Sequence, residues 1–81
     1  MYPELIDAKY ISDYRIWVKY SDNTEGAIDF EKELYGEIFE PLLDINIFKS
    51  FKIHPELKVL TWNNGADFAP EFVYEKLKQA A

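Results

Sequence analysis

The chain has no cysteine among its 81 residues, which excludes disulfides and thiolate metal sites and leaves nothing that requires an oxidising compartment. Histidine is nearly as scarce: His54 stands alone, directly before Pro55. Zinc normally takes four ligands from Cys, His or carboxylate, and a nucleophilic hydroxyl needs a base within reach. One strand-end histidine supplies neither, and no serine sits in a strand-turn-helix elbow. No stretch approaches the roughly 20 apolar residues needed to span a bilayer. The opening Met1-Tyr2-Pro3-Glu4 lacks the basic-then-apolar pattern of a signal peptide. Repeats, linkers and low-complexity segments are also missing. The expectation is a cytoplasmic, non-enzymatic protein with no cofactor, no metal and no membrane association.

What is present is apolar and aromatic. With 48% hydrophobic and 17% aromatic residues, the chain is too apolar to remain disordered, and its large rings supply much of the burial. A chain this short buries only roughly 60–65% of its unfolded surface and cannot divide that between two cores. One domain over residues 1–81 follows. The net charge of −6 is localised. Between Asp22 and Asp44 stand Asp22, Glu25, Asp29, Glu31, Glu33, Glu37, Glu40 and Asp44 against Lys32 alone, a net −7, whereas the remainder carries +1. Such a segment repels phosphates and acidic membranes and attracts a basic protein. Glu31, Glu33, Glu37 and Glu40 are the candidate partner-binding residues, and no direct nucleic-acid binding is expected.

Leu5 to Ser12 alternates, with Ile6, Ala8 and Tyr10 on one face and Asp7 and Lys9 on the other. Tyr14 to Tyr20 is rich in β-branched and aromatic residues, with Ile16, Val18 and Tyr20 opposite Arg15, Trp17 and Lys19. Ser21-Asp22-Asn23 is a turn, and Thr24 to Phe30 is a third strand with Ile28 and Phe30 inward. These three make an antiparallel meander. Glu31 to Gly36 reads as a polar bend or helical turn. Ile38, Phe39, Leu42 and Leu43 then recur at helical spacing in a helix that Pro41 keeps short. Asp44 is placed to cap a turn through Phe48. Ser50 to His54 and Lys58 to Asn63 form a second hairpin around Pro55-Glu56. The expected class is α+β: one antiparallel sheet of about five strands, short middle helices, and a C-terminal helix packed on the sheet.

The chain is organised around Trp62 to Glu71, where a strand ends, reverses and becomes the last helix. Asn64-Gly65 is a turn pair, because both residues accept positive φ readily. Pro70 suits the first helical position, and Glu71 complements the positive end of the helix dipole. Asp67 is a capping candidate for the first turn. Ala69, Val73, Leu77 and Ala80, joined by Tyr74, form the helix's apolar stripe.

The run of Trp62, Asn64, Gly65, Ala66, Asp67, Phe68, Ala69, Pro70 and Glu71 resembles the signature of a small bacterial family known as domain of unknown function 2442. Phe39-Glu40-Pro41-Leu42-Leu43-Asp44, Phe48 and Pro55-Glu56-Leu57 extend the resemblance over nearly the whole chain. Asn63 stands where the family often has proline, and His54 where it often has aspartate. The resemblance implies a compact α+β domain from the bacterial cytoplasm and supplies no activity. Some relatives carry a helix-turn-helix segment, and others lie beside a second small protein in an arrangement like a toxin–antitoxin pair. These 81 residues contain no helix-turn-helix pattern, so they are not expected to read DNA.

Each candidate has a plainer reading. Trp62 and Asp67 are read as core anchor and helix cap, with a ligand pocket beside Asn64-Gly65, near Phe68, as the alternative. Trp17, on the face opposite the meander's core, is either covered by the C-terminal part or exposed for a partner. Asp22-x-x-Glu25-Gly26 lacks the ligand alternation of a calcium loop and reads as a hairpin turn. The many carboxylates fall at exposed positions of a chain too small to enclose a sugar cleft. Two functions stand: a protein-interaction module for a basic partner, which the resemblance implies is antitoxin-like, and a small-ligand sensing domain.

Overall fold

The computed structural model describes residues 2–80, with the side chain of Ala80 outside the description. Three antiparallel strands come first: β1 (Leu5–Ser12), β2 (Arg15–Tyr20) and β3 (Glu25–Asp29), paired in the order β1-β2-β3. Asp13 (φ 46°) and Asn23 (φ 71°) take the left-handed positions of the two connecting turns, as short polar residues do most readily. Ile16, Val18, Tyr20, Ile28 and Phe30 are buried, as the alternation predicts.

The pairing of β1 is irregular at two places, between Leu5 and Asp7 and between Tyr10 and Ser12, and the first of these changes which residue is buried. Leu5 pairs with Tyr20 and Asp7 with Lys19, so Ile6 occupies a bulge. An extra residue in one strand shifts the facing of what precedes it. Leu5 is therefore the buried residue, and Ile6, expected inward, is 54% exposed.

Two 3-10 turns follow, Glu31–Glu33 and Glu40–Leu43, and then the one-turn helix α1 (Ile45–Phe48). The helix expected over Glu37 to Leu43 is reduced to the second of these turns. Pro41 lies in its first positions and cannot donate to a longer α-helical ladder. Only Leu42 of that segment is fully buried. Asp44 caps α1 as expected, its Oδ1 accepting from the Asn46 N–H at 2.9 Å.

The remaining strands make a separate sheet, in contrast to the single sheet of about five strands expected from the sequence. Strands β4 (Lys52–Ile53), β5 (Leu60–Thr61) and β6 (Asp67–Phe68) pair antiparallel in the order β4-β5-β6. The architecture is α+β with three strands in each sheet. Residues 50–54 and 58–63 contribute only two-residue ladders because the chain between them is turn: His54 Nδ1 accepts the N–H groups of Glu56 and Leu57 at 3.1 and 3.0 Å.

Helix α2 (Pro70–Ala80) closes the fold. Val73 and Leu77 are buried and Tyr74 half-buried, as the stripe predicts, but Ala69 is exposed. Ala80, the last residue of that stripe, lies outside the described side chains. The helix packs against β3, where the methyl tip of Leu77 lies 2.8 Å from where a side chain on Gly26 would begin. Gly26 is thus the contact point of helix and strand. The Tyr20 hydroxyl donates to the Pro70 carbonyl at 2.8 Å, tying β2 to the start of α2. One hydrophobic cluster joins both sheets and α2, running from Leu5 and Ile16 through Phe48 and Trp62 to Leu77.

Candidate functional site

The segment from Trp62 to Pro70 is built by its turn. The Asn64 carboxamide accepts from the Ala66 N–H at 3.0 Å and donates to the Ile38 carbonyl at 2.9 Å. Gly65 takes φ +90°, and its N–H donates to the Trp62 carbonyl at 3.1 Å. One side chain therefore closes the turn and holds it to the middle segment. Trp62 is 2% exposed, and its indole N–H donates to the Phe48 carbonyl at 2.8 Å. It is anchored in the core, as the first of its two readings expects.

Asp67 is not the helix cap expected of it. It pairs with Thr61 in β6, and among the described residues its carboxylate accepts no hydrogen bond from the first turn of α2. The strand separates it from the helix start, which falls at Pro70 as expected. Phe68 is the centre of an aromatic stack that sequence periodicity does not reveal. Its ring lies 5.0 Å from Phe30, 4.8 Å from Phe39 and 5.7 Å from Phe72, all within 23° of parallel.

This stack floors a wide-mouthed cavity of about 350 Å³. Phe39, Phe68 and Phe72 line it with Tyr35, and Glu33 and Asp67 are among the lining residues. Tyr35 is 71% and Phe72 40% exposed. Neither was singled out in the sequence, because Tyr35 sits in a polar bend and Phe72 falls off the helix's apolar stripe. For Phe72 the signal available was a large ring beyond what the stripe needs.

The acidic segment divides into two kinds of carboxylate. Asp22 accepts from the Thr24 N–H at 2.9 Å and the Tyr74 hydroxyl at 2.7 Å. The Thr24 bond first, then the Tyr74 bond, holds its carboxyl below the usual range. Glu25 faces Lys19 at 3.9 Å, and Asp29 faces Arg15 at 3.9 Å. Asp44 caps α1. Glu33, proposed from the sequence as partner-binding, is half-buried and paired with Lys76 of α2 at 3.2 Å, so it ties the first 3-10 turn to the helix. Glu31, Glu37 and Glu40 are exposed and have no ion pair among the described residues. Trp17 is half-buried on the outer face of the meander, with the Lys9 ammonium 5.6 Å from its ring centre. The structure does not bring it together with the acidic segment's open carboxylates.

Among the described residues, no group of three or more histidines and carboxylates is placed to hold a metal ion, and no helix is long and apolar enough to cross a membrane. No curated protein and no solved structure is significantly similar to the chain. Residues 5–79 match the family described as "Protein of unknown function (DUF2442)", and the chain belongs to that family.

Proposed function

We propose that this protein is a non-enzymatic interaction module of the bacterial cytoplasm that engages a basic protein partner, in the manner of the neutralising member of a two-protein system. One observation carries the reading. The segment from Tyr35 to Leu43 exposes Tyr35, Ile38 (46%) and Leu43 (45%) beside the unpaired carboxylates of Glu37 and Glu40. Large apolar side chains exposed close together, rimmed by charge of one sign, favour a binding surface over a merely solvated face. The partner's cations steer encounter with this surface, and its apolar groups hold the complex.

The test is capture of the partner from the native host, followed by association kinetics with the purified pair. Glu31→Gln, Glu37→Gln and Glu40→Gln together leave the fold intact and slow association, most at low salt. Glu33 is left in place because its loss removes the Lys76 pair. Unchanged kinetics at every salt concentration refute the reading.

A second reading, a small-ligand sensing domain, draws on the cavity beside Asp67 and Phe68. A neighbouring gene for a small basic protein favours the first reading, and an unrelated metabolic operon the second.

A further inference from the structure

We infer that the aromatic cavity between the first 3-10 turn, β6 and α2 is the docking groove for an extended segment of the basic partner, which seats an apolar or aromatic side chain on the phenylalanine stack and sets a lysine or arginine against Asp67. The inference rests on the interaction reading above and names where and by what chemistry the partner is held.

Four observations converge on this groove. Its floor is already ordered: Phe39, Phe68 and Phe72 are stacked with separations of 4.8 and 5.7 Å, so an incoming side chain meets rings whose rotamers are held by one another. Its wall includes Tyr35, the most exposed large apolar side chain among the described residues at 71%, a position that offers an open ring face to a guanidinium. Its free charge is negative: Glu33 is satisfied by Lys76, but Asp67 is exposed and has no ion pair among the described residues. Finally, Asp67 and Phe68 form β6, the edge strand of its sheet, and an edge receives extended chain. A wide-mouthed cavity of about 350 Å³ is at the small end of metabolite pockets and leaves a ligand largely in solvent, whereas one anchoring side chain fits it.

The experiment uses the full chain and three labelled peptides: Ser-Arg-Arg-Trp-Arg-Arg-Ser, the same with Ala for Trp, and the same with Glu for Arg. Binding is read by fluorescence anisotropy and located by amide chemical shifts. The expected result is that only the first peptide binds well, that shifts centre on Tyr35, Asp67, Phe68 and Phe72, and that Tyr35→Ala weakens it by about tenfold or more. Asp67→Asn weakens it several-fold at low salt and little at high salt. Tyr35 is exposed enough that its truncation spares the fold, which an unchanged melting temperature checks; Phe72→Ser is the second variant.

If the basic peptide binds with shifts confined to Glu37, Glu40 and Leu43, and Tyr35→Ala has no effect, the groove is refuted while the basic-partner reading survives. If neither basic peptide binds at millimolar concentration, both fall. Binding of the acidic peptide, saturation by indole alone as tightly as by the peptide, or concentration-dependent shifts in the same residues without any peptide each overturn the groove's assignment, the last in favour of a second copy of this chain.

Discussion

A side chain added at Gly26 measures how closely α2 is seated on β3. Its first carbon would lie 2.8 Å from the Leu77 methyl, well inside contact distance. Leu77 is 4% exposed and cannot swing into solvent, so the helix must shift or the leucine leave its preferred rotamer. Overpacking of this kind costs about 1–3 kcal/mol. Against it, replacing a strand glycine reduces the unfolded chain's freedom and returns about 0.5–1 kcal/mol. Gly26→Ala is therefore expected to destabilise by about 1 kcal/mol net, roughly a tenth to a quarter of the stability of a domain this size. In a Leu77→Ala background the sign reverses. Leu77→Ala alone costs about 2–5 kcal/mol, and the added methyl at position 26 then enters the vacated space, recovering about 0.8 kcal/mol of burial on top of the entropic gain. The assay is urea denaturation followed by far-UV circular dichroism of the wild type, the two single variants and the double variant. The slope for a small domain is about 1 kcal/mol per molar urea, so each sign is resolved as a midpoint shift of roughly that size. If Leu77→Ala leaves too little folded protein, Leu77→Val serves the same cycle. Gly26→Ala that stabilises the wild type, or that has the same effect in both backgrounds, refutes the close seating of helix on strand.

Two further outcomes follow from the turn and from the Asp22 cluster. At Gly65 the φ of +90° is the whole constraint, because nothing lies within 4 Å of an added side chain; Gly65→Val is expected to lower stability by about 1–3 kcal/mol and Gly65→Asn by less, and an unchanged denaturation midpoint for the valine variant refutes the turn. The Asp22 carboxyl is lowered from its ordinary 3.8 by the Thr24 N–H and Tyr74 hydroxyl, so its contribution is complete above that value and is lost as the pH falls through the lower folded one. The wild type should lose more stability than Asp22→Asn between about pH 5 and pH 3; equal losses refute the role given to these bonds.

The strands of the meander, the cap at Asp44, the turn at Asn64-Gly65 and the helix start at Pro70 were legible in the sequence because each is a local matter. Side-chain alternation, a carboxylate facing free N–H groups, positive φ and a missing donor all act within a few residues. The bulge at Ile6 was not, since one unpaired residue leaves the composition of the strand unchanged and alters only which neighbour it meets. Nor was the division into two sheets, because alternation defines strands without saying across which edges they pair. The role of Gly26 was hidden for the same reason: its need for no side chain comes from Leu77, fifty-one residues away.

The candidate site divides along the same line. Sequence alone established where the negative charge is concentrated, since charge is additive along the chain and needs no fold to be counted. Only the tertiary structure decided which of those charges are free, because Glu33 is neutralised by Lys76 and Asp29 by Arg15 through contacts between elements. It alone also gathered Tyr35, Phe39, Phe68 and Phe72 around one cavity, bringing together rings from segments that lie far apart in the chain.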